Sequence, residues 1–383
     1  MKRKQFLQLS AAAALIPAIG FPATVSGQKV ADDKKVLVDF NGDGLNLTPF
    51  AYANLLSQLT ANNKIVADNY SLTGCVEELE TKFAALLGKE VAIFMPTGTL
   101  ANHLAIRTLA GLNKRAIVQQ ESHVYNDTGD STQSLSNINL IPLGAGSATF
   151  TIDEVTDTVK RTESGRVASK IGVISIESPV RRRAGEVFDY EQMKKISGFA
   201  KENDIKMHLD GARIFLASAY SGTPVKEYAS LFDTVYVSLY KYFNAASGAI
   251  LAGPRQLISP MYHSRRMFGS GLHQAWPYAA VANHYVNGFE DRYAKAVVIA
   301  EDLIKLLQNN SHFEIHRVAS GTNIFRITMK GIAAKTFVEN LATNGIIASI
   351  DSRAPNGLLL QVNESLLNTN AADIEKLFTK SLN

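Results

Sequence analysis

Lys241 stands between two apolar runs, Thr234–Leu239 before it and Ala249–Ala252 after it. An ammonium is costly to bury without a partner. Lys241 is therefore either a snorkelling residue at a rim or a nucleophile whose pKa is lowered by desolvation. Asp210 lies in His208-Leu-Asp-Gly-Ala-Arg213, at the end of another apolar run. A carboxylate buried there needs a cationic partner, and two candidates exist: Arg213 nearby, or a protonated pyridine nitrogen. His123, in Glu121-Ser-His123, follows a third run. It is either structural or an imidazole that stacks on a ring or moves a proton. Thr97-Gly98-Thr99 opens a helical pattern. That reads as a plain N-cap or as a helix start whose free N–H groups favour a phosphate.

These residues need elements to position them. The candidate strands are Val91–Met95, Ala116–Gln119, Leu140–Leu143, Gly172–Glu177, Ile205–Leu209, Thr234–Leu239 and Ala249–Ala252. Helical patterns fall between several of them, at Leu100–Ala110, Ile152–Arg161 and Tyr190–Asn203. Apolar strands alternating with amphipathic helices predict an α/β fold with a mainly parallel seven-stranded sheet covered on both faces. Ligands in such sheets bind beyond the carboxyl ends of the strands. The histidine, the aspartate, the lysine and the helix start all fall at that end. Those are the parts that pyridoxal 5'-phosphate requires: Lys241 for a Schiff base, Asp210 to keep the ring nitrogen protonated, and the helix start with Ser238 for the phosphate. Arg181-Arg-Arg183 reads as a solvated surface run.

The pattern changes after about residue 285. A long helix (Tyr293–Leu307), short strands (Phe313–His316, Asn323–Thr328, Ile346–Ile350, Leu358–Val362) and two further helices (Ala334–Asn344, Ala371–Ser381) predict a small α+β domain. The expected organisation is an export signal over residues 1–27, an N-terminal segment over 28–67, a cofactor-binding large domain over 68–284 and the small domain over 285–383.

Met1-Lys-Arg-Lys-Gln5 is a basic start, and the alanine-rich apolar stretch Phe6–Phe21 follows. Val25-Ser-Gly27 offers small residues for cleavage. Arg3-Lys-Gln-Phe-Leu7 is similar to a twin-arginine export motif with one arginine replaced by lysine. An ordinary secretory signal and a buried N-terminal helix of a cytosolic protein are the alternatives. The expectation is an exported, periplasmic or secreted protein. Hydrophobic residues make up 46% and charged residues 19%, the composition of a globular chain. Without Lys2, Arg3 and Lys4 the basic residues number 36 against 35 acidic ones. A near-neutral body gives no reason to expect nucleic acid or an anionic membrane as partner. Cys75 is the single cysteine, so neither an internal disulfide nor a multi-cysteine metal site can form.

In this order along the chain, Leu79-Glu80, Gly88-Lys-Glu90, Pro96-Thr-Gly-Thr-Leu-Ala-Asn102, Glu121-Ser-His123, His208-Leu-Asp-Gly-Ala-Arg213 (the most specific piece) and Arg265-Arg-Met-Phe-Gly-Ser-Gly271 carry a resemblance. The chain resembles the threonine aldolase branch of the β-eliminating lyases, within the aspartate aminotransferase-like fold of pyridoxal phosphate enzymes. The resemblance covers about residues 36–300 and, more weakly, the C-terminal part. It implies an amino acid lyase that most often cleaves a β-hydroxy-α-amino acid to an aldehyde and glycine. It implies that Lys241 carries the cofactor, Asp210 pairs with its pyridinium, and Gly98, Thr99 and Ser238 bind its phosphate. His123 would lie against the ring and act as base, and Arg213 would contact the substrate carboxylate. A homodimer or homotetramer with sites at the subunit interface is implied as well, with Arg265-Arg266 reaching a neighbour's phosphate.

The departures are specific. The family's Ser-Asp-Thr reads Gly42-Asp-Gly44, and its Lys-Gly-Leu-Gly-Ala-Pro turn reads Lys241-Tyr-Phe-Asn-Ala-Ala246. Its Met-Arg-Gln pattern reads Leu272-His-Gln274, and a C-terminal carboxylate-binding arginine is replaced within Leu358-Leu-Leu-Gln361. Losing one charge-assisted contact to a carboxylate costs about 1.5–3 kcal/mol, and Arg353 is a candidate substitute. β-Elimination, transamination or racemisation on the same scaffold, and a non-catalytic exported homologue, are the rival readings.

Overall fold

Seven strands build the main sheet in the computed structural model, which describes residues 36–352, 354 and 356–383. In chain order the strands are β1 (Val38–Asp39), β2 (Val91–Met95), β3 (Arg115–Gln119), β4 (Asn139–Leu143), β5 (Val173–Glu177), β6 (Lys206–Asp210), β7 (Thr234–Ser238) and β8 (Ala249–Gly253). Then follow β9 (Phe313–Arg317), β10 (Ile324–Met329), β11 (Ile346–Ile347), β12 (Ser349–Ile350) and β13 (Gly357–Gln361). The main sheet runs β2-β8-β7-β6-β5-β3-β4, with β8 antiparallel to both its neighbours and the other pairs parallel. All strands but β8 therefore open their carboxyl ends along one edge.

Every residue of β5, β7 and β8 is buried, as expected of strands covered on both faces. Alternation sorts their side chains. Phe94, Val235, Val237 and Ile250 join the large core that includes Phe83 of the helix α2 (Gly74–Leu87), which comes after α1 (Pro49–Thr60). Met95, Tyr236, Ala249 and Leu251 pack on the opposite face with Ala101, Leu104 and Ala105 of α3 (Gly98–Ala110).

A second layer holds the four-stranded antiparallel sheet β12-β13-β10-β9, with α4 (Phe289–Gln308) and the helices Ala334–Thr343 and Ala371–Lys380 around its core. The strand expected at Ile346–Ile350 is divided. Its first half pairs in parallel with β1 and its second half pairs antiparallel with β13. A helix at Trp276–Val286 was not foreseen, because it is apolar on most sides and shows no amphipathic period. Among the described residues no helix is long and apolar enough to cross a membrane. The expected export segment over residues 1–27, and Arg353, lie outside the described residues.

Candidate active site

Strand register brings the chemistry together. Glu177, Asp210 and Tyr236 are successive partners across β5, β6 and β7, so one row at the open edge carries two carboxylates and a phenol. A cavity of about 1180 Å³ lies over that edge. Lys241, Asp210, His123, Gly98, Thr99 and Arg213 all line it. Ser238 does not; it is fully buried, on the same face of β7 as Tyr236.

Asp210 sits on a built support. Asn102 of α3 donates from Nδ2 to Asp210 Oδ2 at 2.6 Å, and the Ala212 N–H donates to Oδ1 at 3.2 Å. The orientation of the Asn102 amide is set one step further back. His208 Nε2 lies 2.9 Å from Asn102 Oδ1, and His208 Nδ1 lies 2.8 Å from Thr234 Oγ1. Burial pushes His208 down to about 4, so it is neutral. The neutral ring must then donate from Nε2 to Asn102 and accept from the Thr234 hydroxyl at Nδ1.

Arg213 is not the partner of Asp210. Its Nε donates to Asp43 Oδ2 at 2.8 Å, and Asn323 Nδ2 donates to Asp43 Oδ1 at 3.1 Å. Among the described residues no lysine, arginine or histidine forms an ion pair with Asp210. A buried carboxylate held by two neutral donors on a cavity wall is prepared for a cation that the described residues do not supply.

Lys241 follows the end of β7 by three residues, and its Nζ stands 5.6 Å from the centre of the Tyr240 ring. Burial first, and then the Arg213 guanidinium, push its ammonium down to about 8, against the opposing pull of Asp210, Asp43 and Glu177. A half-neutral amine near pH 8 is a competent nucleophile.

His123 is placed by Glu177, whose Oε2 accepts the His123 N–H at 2.6 Å while Oε1 accepts the Arg181 N–H at 2.9 Å. Burial and then the negative charge of Asp210 in the next strand raise the Glu177 carboxyl well above the ordinary range. The His123 ring has Nδ1 3.7 Å from Asp127 Oδ2. Asp127 also accepts from Arg181 Nη2 at 2.7 Å and from Arg182 Nη2 at 2.9 Å. The run is exposed as expected, and Arg181 from it also reaches the cavity wall. Arg265 is a correction of a different kind. It is fully buried and donates to the carbonyls of Phe94 and Tyr70, so it cannot reach a neighbouring subunit; Arg266 remains exposed, 4.9 Å from the Tyr70 ring.

At the start of α3, Thr97 is the N-cap, its Oγ1 accepting the Leu100 N–H at 3.2 Å. The plain N-cap reading holds, and the first-turn N–H groups of Gly98 and Thr99 lack intrahelical acceptors beside the cavity. Glycine is required at 98, where a Cβ would fall 1.9 Å from Tyr236 Oη. Gly98→Ala is expected to cost about 1–3 kcal/mol of stability and to weaken binding of the cofactor phosphate about tenfold. Thermal unfolding and a cofactor titration check both.

The Beta-eliminating lyase family model matches residues 56–330. The chain belongs to the beta-eliminating lyase family. A low-specificity L-threonine aldolase from Candida albicans is 32% identical over 212 residues, which are 55% of this chain and 56% of that protein. The chain thus spans about half the length of the L-threonine aldolases it matches. The alanine racemase TOXG of Cochliobolus carbonum is 26% identical over 289 residues, covering 73% of this chain and 68% of that one. A Listeria monocytogenes structure, provisionally assigned as an L-allo-threonine aldolase, superposes with a TM-score of 0.75 at 25% identity, over 90% of this chain and 95% of that one.

Beta-eliminating lyases of this fold are pyridoxal phosphate enzymes, and the described residues fit that group. Asp210 is a buried carboxylate without a cation among the described residues, Lys241 is a depressed amine on the same cavity, and Gly98 starts its helix against the phenol of Tyr236. Asn102, Asp43, Glu177 and Tyr236 were given no role on sequence alone. The signals for Asp43 and Asn102 were their places in segments matched to the resembled family; Tyr236 carried none beyond strand spacing.

Proposed function

We propose that this chain is a pyridoxal phosphate-dependent lyase that cleaves the Cα–Cβ bond of a β-hydroxy-α-amino acid, releasing an aldehyde and glycine. The observation that carries the reading is the buried Asp210 carboxylate, held by Asn102 and Ala212 and left without a cation among the described residues. When bound, the cofactor supplies the electron sink that takes the electron pair of the broken bond. The chain supplies the rest. Lys241 anchors the cofactor carbonyl through its neutral amine. Asp210 holds the proton on the pyridine nitrogen, and the start of α3 at Gly98 and Thr99 meets the phosphate. Arg213, fixed by Asp43, presents its remaining N–H groups to the substrate carboxylate. His123 takes the proton from the β-hydroxyl, its backbone pinned by Glu177. Export through the N-terminal segment and assembly as a homodimer or homotetramer belong to the same proposal; residues 1–27 and the family resemblance support them.

The cofactor-loaded protein should release aldehyde and glycine in equal amounts from L-threonine, L-serine or an aromatic β-hydroxy amino acid. Product analysis by coupled aldehyde reduction and amino acid chromatography tests this. No aldehyde from any of them would defeat the reading. Racemisation is a second reading, favoured by the similarity to the alanine racemase. Loss of optical activity from L-alanine without aldehyde release would select it.

A further inference from the structure

We infer that Asn244 is a positioning residue whose amide oxygen ties Gly44 and Leu45 to the turn that carries Lys241, and so sets the Arg213 guanidinium through Asp43. The inference rests on the reading of Arg213 as the carboxylate contact. Two departures from the family motifs meet here. Where the resembled turn has the second glycine of Lys-Gly-Leu-Gly, this chain has Asn244, with φ +55°. Asparagine is among the few side chains that adopt the left-handed region readily. Where the resembled segment has threonine after its aspartate, this chain has Gly44.

The two changes interlock. The Leu45 N–H donates to Asn244 Oδ1 at 2.7 Å. A Cβ at Gly44 would lie 2.3 Å from the Lys241 carbonyl oxygen and 2.5 Å from Asn244 Oδ1. A side chain removed from one strand of the contact makes room for a side chain added on the other. The neighbour of Gly44 is Asp43, which bonds Arg213 Nε at 2.8 Å and accepts from Asn323 at 3.1 Å. Asn323 steadies Asp43 from the small sheet, and Asn244 steadies it from the lysine turn. The segment that holds the guanidinium and the turn that carries the amine are then joined by a hydrogen bond across 199 residues of sequence.

The test uses the full, cofactor-loaded chain. Asn244→Gly keeps the left-handed backbone without strain and deletes the acceptor. Asn244→Asp keeps an acceptor oxygen and tolerates the same backbone. Hydrogen–deuterium exchange of the Leu45 amide should speed up about tenfold in Asn244→Gly and return to within about threefold of the parent in Asn244→Asp. Binding of glycine, measured by calorimetry, should weaken about tenfold in Asn244→Gly, with KM for L-threonine rising more than kcat falls. Unchanged Leu45 exchange in Asn244→Gly overturns the tie. Faster exchange with unchanged glycine affinity overturns the positioning role. If Arg213→Lys leaves glycine affinity unchanged, it is the carboxylate reading that fails, while the exchange result still judges the tie. Gly44→Ala presses on the same contact from the other side and should reproduce the loss of glycine affinity if Asn244→Gly does not fold.

Discussion

Lys241→Ala should abolish the visible absorbance of the cofactor-loaded protein and lower turnover by at least about 10³-fold. Among the described residues Lys241 is the lysine that lines the cavity, and none of the other described side chains there can form the linkage. The pH dependence follows from the direction of its shift. Burial, and behind it the Arg213 guanidinium, push the amine down to about 8. Only the neutral amine attacks a carbonyl carbon. About half of it is neutral at pH 8, where an ordinary lysine near 10.4 would be neutral in well under about 1% of molecules. The rate of cofactor capture by the cofactor-free protein should therefore rise with pH through about 8 and level off above about 9. Stopped-flow absorbance across pH 6.5–10.5 measures it. A midpoint near 10, or a visible band that survives in Lys241→Ala, would remove the lysine from its assigned place.

The sheet and the edge on which the site lies were legible because the strands are short apolar runs separated by amphipathic helices, and parallel topology then leaves one edge for chemistry. Lys241, Asp210 and His123 could be found because each is a polar group just where an apolar run stops. What the sequence could not give was pairing. Arg213 lies three residues from Asp210 and was one of two candidate partners for it, yet it bonds Asp43, 170 residues away in sequence. The difference matters because it leaves Asp210 open to the cofactor. Arg181-Arg-Arg183 is solvated as a charge run should be, with Arg181 about half exposed, but its pairing with Asp127 at the cavity wall was not readable. Ser238 ends β7 on the same face as Tyr236, but unlike Tyr236 it is fully buried and does not line the cavity. The role of Asn102 was invisible although the residue stands in a run that carries the resemblance, since an asparagine in the first turns of a helix gives no sign that it will reach across to His208 and Asp210.

Asp210→Asn should lower turnover by about 10²–10³-fold while changing the stability of the cofactor-free protein by no more than about 1 kcal/mol. Two terms of similar size oppose each other in the fold. The neutral amide keeps an oxygen for Asn102 but turns its NH₂ group toward the Ala212 N–H, losing a bond worth about 1 kcal/mol. Against that, it removes a buried charge that has no cationic partner among the described residues and lies in register with Glu177. Relief of that repulsion also brings the Glu177 carboxyl back down toward its ordinary range, because the Asp210 charge is one of the causes holding it up. In catalysis nothing offsets the loss. A neutral amide cannot hold a proton on the pyridine nitrogen, and a factor of 10³ in rate corresponds to about 4 kcal/mol of transition-state stabilisation. Thermal unfolding of the cofactor-free variant, set beside its kcat, separates the two roles. A variant that unfolds would make Asp210 a structural residue, and one that turns over normally would free the pyridine nitrogen of any need for it.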